Sequence, residues 1–192
     1  MQANDVRATF FPIGKALKYE DAALWQEVVA SGCEIGNHSW GHTYLTKLSR
    51  QKIKFQMLRT QEKVDALLDC HYPMQVMRPP MGKTNQKVEE SVAAGGGPAV
   101  GYLAVVKWDV SETDPVKALA DVQNGSILLF HARKKDAECL SVLIPQLVAE
   151  GYQLVTVSEL LGLPEIVCSA EKYVYHRRDT EENIRPDAVP QN

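Results

Sequence analysis

Gly32-Cys33-Glu34-Ile35-Gly36-Asn37-His38-Ser39-Trp40-Gly41-His42 is the stretch that decides the fold. Cys33 to Gly36 reads as a short strand, and it runs straight into a polar loop carrying two histidines. On its upstream side, Ala8 to Ile13 is strand-like and stops at Gly14. Leu24, Trp25, Val28 and Val29 then share one helical face, with Gly32 as a fitting C-terminal cap. Downstream, Ile53, Met57, Val64, Leu67 and Leu68 keep helical spacing behind Ser49, a plausible N-cap, although Lys52 spoils the capping box.

Gln75 to Arg78 forms the next strand, stopped by Pro79-Pro80. A helix from Gln86 to Ala94 is broken by Gly95-Gly96-Gly97, and one or two strands follow within Val100 to Val110. Pro115 to Val122 is helical in pattern, and Ser126 to Phe130 is the clearest buried strand. A helix over Leu140 to Glu150 carries Pro145, which kinks it or marks its first turn. A strand from Gln153 to Val157 and a short helix opened by Ser158 complete the order. Apolar strands alternating with helices imply an α/β fold with a covered parallel sheet. An open doubly wound sheet and a barrel are equally allowed by this pattern.

The 192 residues fit one domain, which we place at 1–163, followed by a charged, proline-punctuated tail over 164–192. With 45% apolar residues the chain can build a sizeable core, which rules out a disordered class. A net charge of -3 gives no electrostatic reason to propose nucleic acid or an anionic membrane as partner. No apolar run approaches the ~20 residues of a membrane span. The charged start, Asp5-Val6-Arg7, stands where a signal peptide would carry its apolar stretch. Cys33, Cys70, Cys139 and Cys168 form no Cys-x-x-Cys pair, so they read as idle or buried thiols, with disulfides left open.

The chemistry-bearing residues share one location. His38, Arg78, the acidic stretch after Trp108, and His131 all fall at or just beyond the C-terminal end of a strand, where parallel β/α folds assemble their sites. His38 and His42 suit a metal such as zinc, or are two surface histidines. Arg78 is rigidly presented before two prolines and suits a carboxylate or anionic group, or a salt bridge. His131 emerges from an apolar run and is a general acid or base candidate, or a satisfied core histidine. His71 and His176 read as structural, and Arg133-Lys134-Lys135 as a solvated rim. Gly82-Lys83-Thr84 is no phosphate-binding loop, because Met77 occupies the required glycine position. A G-x-S-x-G elbow is absent too.

Taken in order from Ala8 to Leu161, the pieces resemble the polysaccharide deacetylase family, the NodB-homology domain of carbohydrate esterase family 4. The matching stretches are the strand Ala8 to Gly14, Gly32 to His42 with the following Leu45 to Ser49, Arg78-Pro79-Pro80-Met81-Gly82, Leu129-Phe130-His131, and Gly151 to Val157. The resemblance implies a distorted (β/α) barrel and a hydrolase removing acetyl groups from N-acetylated sugars of chitin- or peptidoglycan-like glycans. It makes His38 and His42 ligands of a divalent metal, zinc above all, and His131 the acid that protonates the leaving amine. Arg78 would position the base, Leu129 would line the acetyl pocket, and Trp108 and Pro80 would contact substrate. Family members usually work at the cell surface or outside.

Several positions depart from the family pattern. The T-F-D-D-G motif, which supplies the base and a third metal ligand, does not occur in this sequence, so a barrel missing its first strand is expected. Ser111 stands for the aspartate that partners the acid histidine, Pro115 for a tryptophan and Met81 for an aromatic residue. Two readings follow: a piece of an ordinary deacetylase, or a shortened and decayed domain that binds glycan or a partner. A generic β/α binding protein with incidental histidines is the third. An open barrel edge would favour self-association, and Asp109 is the expected substitute metal ligand.

Overall fold

The computed structural model describes residues 6–93 and 101–170. The expected Gly95–Gly97 break, His176 and the tail beyond 170 lie outside the described residues. Among the described residues there are four short strands: β1 (Thr9–Phe10), β2 (Glu34–Ile35), β3 (Val76–Met77) and β4 (Ala104–Val105). The helices are α1 (Ala22–Ala30), α2 (Arg50–Leu68), α3 (Gln86–Val92), α4 (Pro115–Asp121), α5 (Lys134–Ala149) and α6 (Val157–Leu160).

Among the described residues both two-stranded ladders are parallel, as the alternation of strands and helices predicts, and the one antiparallel bridge, His71–Ser169, lies outside those ladders. β1 pairs with β2 and β3 with β4, and an Asn37–Met77 bridge joins the two pairs. Ladder positions are few because the sequence interrupts them. Pro12 has no N–H to donate and Pro79 ends β3.

Period-2 alternation sorts the side chains into two layers. Ile35 and Met77 turn outward into a core with Ile53, Met57, Val64 and Leu67 of α2. Ser49 caps that helix as expected, its hydroxyl accepting from the Lys52 amide at 3.3 Å. Val76 faces the other way, into an inner cluster with Val106, Val157, Phe11 and Ile127. A third cluster joins Val110, Ala118, Cys139, Leu143 and Leu147 between α4 and α5.

Three expectations need correction. Ser126 to Phe130 is half-buried and forms only an isolated bridge, Val110–Leu128, because its ladder is confined to the residues beside Asp109 and Val110. Gln153 to Val157 is not a strand. Thr156 forms a capping box with Glu159 and turns the extended chain into α6. The helix expected from Leu140 begins six residues earlier, at Lys134, with Pro145 inside it.

The expected distorted barrel is not closed among the described residues, which form two two-stranded sheets. Nor is the outer edge of β1 bare. The Arg7 amide donates to the Leu154 carbonyl at 3.0 Å, and the Val157 amide donates to Thr9 Oγ1 at 2.8 Å. Buried Glu34 accepts from Thr9 Oγ1, the Ser158 amide and the Ser158 hydroxyl, binding the start of α6 to both strands. This seam removes the bare edge on which self-association was expected.

Residues from 164 to 169 run along the domain. Ile166 packs on the α2 core, and Ser169 exchanges two backbone hydrogen bonds with His71. All four cysteines are free thiols. No described helix is long and apolar enough to cross a membrane.

Candidate active site at the strand ends

The Asn37–Met77 bridge sets the register that builds the site. The Asn37 amide donates to Val76 and its carbonyl accepts from the Arg78 amide at 2.9 Å, so His38 emerges beside Arg78. His38 Nδ1 lies 2.6 Å from the Arg78 carbonyl. A carbonyl only accepts, so Nδ1 carries the proton and the Nε2 lone pair is left bare. Burial pulls the His38 pKa down to about 4, with the fields of His42, Arg78 and His131 adding to it. The ring is therefore neutral at neutral pH, the state a metal ligand needs.

The loop after His38 is held under backbone strain. Ser39 (φ 66°) and His42 (φ 52°) are both left-handed, at roughly 1–2 kcal/mol each for a non-glycine residue. Hydrogen bonds offset this. Asn37 is fully buried; its Oδ1 accepts from the Ser39 amide, and its Nδ2 donates to the Met57 carbonyl and the Tyr102 hydroxyl. Ser39 Oγ accepts from the His42 amide at 3.1 Å, and Gln56 Oε1 from the Gly41 amide at 2.7 Å. The result places the two imidazole centroids 4.8 Å apart at 61°.

Arg78 is buried with its guanidinium 4.2 Å from the Phe11 ring centroid. Nη2 donates to the Lys107 carbonyl at 3.3 Å, whereas buried Nε has no partner. Burial lowers its pKa to about 10, which still leaves it charged at neutral pH. An unspent buried donor on a cation fits a carboxylate or another anionic group.

Pro80 is buried at the head of a turn, Pro80–Gly82, and the Trp108 ring lies beside Gly82. A Cβ on Gly82 would meet the Trp108 ring at 2.8 Å, and φ there is +63°, so both space and backbone require glycine. Leu129 is half-buried, its amide bonded to the Val110 carbonyl at 2.8 Å. His131 is exposed, yet close enough for its charge to be felt at His38.

The structure thus brings together His38, His42 and Arg78, and sets the Trp108 ring against Gly82 in the turn that Pro80 heads. Asp109 does not join the histidines: its carboxylate accepts the Ile127 amide at 2.8 Å. Among the described residues no cluster of three or more His, Cys, Asp or Glu side chains could hold a metal. The pair fits two ligands of a divalent ion, with Nε2 of His38 free for it, and the described residues add no third.

Sequence reasoning missed two features. Asn37 holds the whole loop, and an asparagine before histidine carries no sequence signal for that role. Arg133 is exposed, as the reading of a solvated rim expected, and it also bonds both His131 and Asp136.

Comparison with known proteins gives a consistent result. The family described as Polysaccharide deacetylase matches residues 1–100. A peptidoglycan-N-acetylglucosamine deacetylase of Listeria monocytogenes is 32% identical over 173 residues, covering 84% of this chain and 34% of its own length. A peptidoglycan-N-acetylmuramic acid deacetylase of Bacillus subtilis is 32% identical over 163 residues, 80% of this chain and 32% of that one. The chain therefore spans about a third of the length of these curated relatives.

Among solved structures, a family 4 acetyl xylan esterase from Clostridium thermocellum, in complex with a cobalt ion, superposes with a TM-score of 0.72 at 26% identity. That match covers 85% of this chain and 82% of the esterase. A CE4 family pseudoenzyme from Bacillus anthracis superposes with a TM-score of 0.70 at 25% identity, over 86% of this chain and 59% of that one.

Proposed function

This chain belongs to the polysaccharide deacetylase family, and we propose that it is a metal-dependent hydrolase removing acetyl groups from N-acetylated sugars of a peptidoglycan- or chitin-like glycan. One observation carries the reading: His38 is neutral, proton-bearing at Nδ1 and bare at Nε2, with His42 beside it at the strand ends. His38 and His42 would hold the ion, zinc being a divalent metal that imidazoles suit. When bound, such an ion supplies Lewis-acid polarisation of the acetamide carbonyl and of water.

The chain's own residues divide the remaining work. The Arg78 carbonyl fixes the His38 ring, and the Arg78 guanidinium, with Nε unspent, is the group that would orient a carboxylate base, which the described residues do not supply. His131 protonates the departing amine. Leu129 lines the acetyl pocket, and Pro80 and Trp108 form a wall for the sugar. Residues 1–163 make up the working domain.

A second reading is a decayed, glycan-binding domain. It is favoured by the lack of a third ligand among the described residues and by the likeness to a pseudoenzyme. Calorimetric zinc titration of the chain and of His38→Ala and His42→Ala, followed by acetate release from N-acetylated oligosaccharides, tests both. Zinc uptake lost in both variants, with acetate released by the parent, supports the enzyme. Glycan binding without acetate release supports the second reading. Zinc affinity unchanged in the variants overturns the metal site.

A further inference from the structure

The segment after residue 163 is fastened to the domain by polar contacts at two points. Gln75 Nε2 donates to the Pro164 carbonyl at 2.8 Å, and His71 and Ser169 exchange backbone hydrogen bonds of 3.0 Å in each direction. The His71–Ser169 bridge is antiparallel. Cys70 and Cys168 immediately precede the two bridged residues, so side-chain alternation puts both on one face, set diagonally across it. Asp69, left-handed at φ 57°, ends α2 and turns the chain into this bridge. The two thiols meet there: Cys70 and Cys168 share a side-chain hydrogen bond. Cys70 is half-buried and Cys168 is exposed.

The bridge supplies the backbone proximity that a disulfide needs, and the thiol contact supplies the approach of the sulfurs. We propose that Cys70 and Cys168 are a disulfide-forming pair, a modification site at which a small-molecule disulfide such as oxidised glutathione locks the 164–169 segment onto the end of α2. The Cys168 thiolate attacks one sulfur of the reagent, whose S–S bond breaks and releases one glutathione thiolate. Cys70 then loses its proton to solvent and attacks Cys168 Sγ, forming the protein disulfide and expelling the second glutathione thiolate. The two cysteines are oxidised by two electrons, and one glutathione disulfide is reduced to two thiols. Exposure sets this order, because Cys168 is the sulfur a reagent can reach. Burial first, and the hydrogen bond to Cys168 second, push the Cys70 thiol up to about 12, which suits it to the later step. Capping Cys168 removes a neighbouring charge that helps to hold the proton on Cys70. The link closes a loop that holds α3 to α6, so it restricts the unfolded chain as well as the folded one. None of this depends on the chemistry at the strand ends.

The test is incubation of the full, folded chain with oxidised glutathione, followed by thiol titration under denaturing conditions and by non-reducing peptide mapping. A glutamate-specific protease serves for the mapping, because Glu150, Glu159 and Glu165 separate Cys139 from Cys168. Titratable thiols are expected to fall from four to two, with the lost pair recovered as one Cys70–Cys168 peptide and Cys33 and Cys139 still reduced. Cys70→Ser should stop at a glutathione adduct on Cys168, and Cys168→Ser, at an exposed position, should fold normally and keep its remaining thiols. The oxidised parent should melt about 4–16 °C above the reduced one, a difference that a reductant abolishes and that Cys168→Ser never shows. A glutathione adduct that persists on Cys168 in the parent overturns the proposal, as does a link to Cys33 or Cys139. A Cys70–Cys168 link that leaves the melting temperature unchanged overturns the lock.

Discussion

Asn37→Ala isolates what holds the histidine loop in place. The side chain is fully buried and makes three hydrogen bonds: to the Ser39 amide at 2.9 Å, the Met57 carbonyl at 3.0 Å and the Tyr102 hydroxyl at 2.7 Å. These losses are unequal. The Met57 carbonyl lies within α2, where the helical ladder also uses it, and the Tyr102 hydroxyl can rotate. Each of those two bonds is worth about 0.5–1.5 kcal/mol net. The Ser39 amide is different, because a buried donor left without an acceptor costs about 1–3 kcal/mol. The sum is roughly 2–6 kcal/mol, large against an ordinary domain stability of about 5–15 kcal/mol. Urea unfolding followed by circular dichroism measures it. Asn37→Asp retains the acceptor for Ser39 but loses both donations, and places a buried carboxylate against the Met57 carbonyl. It should be destabilised as well, with the loop geometry less altered. Calorimetric zinc titration then separates stability from site: Asn37→Ala should bind zinc more weakly even where it is folded, because Ser39 and His42 lose the bonds that offset their strained backbone. A stability loss under about 1 kcal/mol, or zinc affinity equal to the parent's in the folded variant, would refute the reasoning.

Three other outcomes follow from particular contacts. Gly82→Ala combines a left-handed backbone with a Cβ driven to 2.8 Å from the Trp108 ring, so it should cost about 1–3 kcal/mol and shift Trp108 fluorescence in the native state. The Asp136 carboxyl is held below its usual pKa by the His131 amide first and by Arg133 second, so its stabilisation is present at neutral pH and lost as pH falls through that depressed value. Asp136→Asn should accordingly be less stable than the parent at pH 7, and unfolding curves at successively lower pH should bring the two together. A thiol reagent should label exposed Cys168 fastest, while buried Cys33 and Cys139 wait for unfolding; equal rates for all three would contradict the packing.

How far the sequence could be read depended on whether a residue's role was local or spatial. Helices were legible because their signals are local. Ile53, Met57, Val64 and Leu67 keep one face, Ser49 caps it, and all four side chains are buried where that spacing places them. Strands were legible as segments but not as ladders, since a ladder needs a neighbour that sequence does not display. Gln153 to Val157 has strand-like composition, yet Thr156 and Glu159 close a capping box that outcompetes further pairing. In the candidate site, His38, His42 and Arg78 could be found because their types are costly to bury and they stand at strand ends. What could not be found was the second layer, Asn37, Glu34, Arg133 and Asp136, whose partners are set by tertiary register or by side-chain rotamer.

Arg133 shows the difference most clearly. Read as a charge in a basic triplet it belongs with Lys134, whose ion pair with Glu138 is an exposed i, i+4 contact of the kind worth little. The start of α5 instead places buried Asp136 one turn away, and a buried carboxylate needs donors more than a surface lysine needs an acceptor. That need draws both the His131 amide and the Arg133 guanidinium onto Asp136. The burial of one carboxylate, three residues into a helix, thereby turns a surface arginine into a neighbour of the imidazole. The same logic applies to Arg78, where the buried group is the cation and the unmet demand, at Nε, is for an anion. The two sites are complementary in sign: one has a carboxylate already supplied with cationic donors, and the other has a cationic donor still open to a carboxylate.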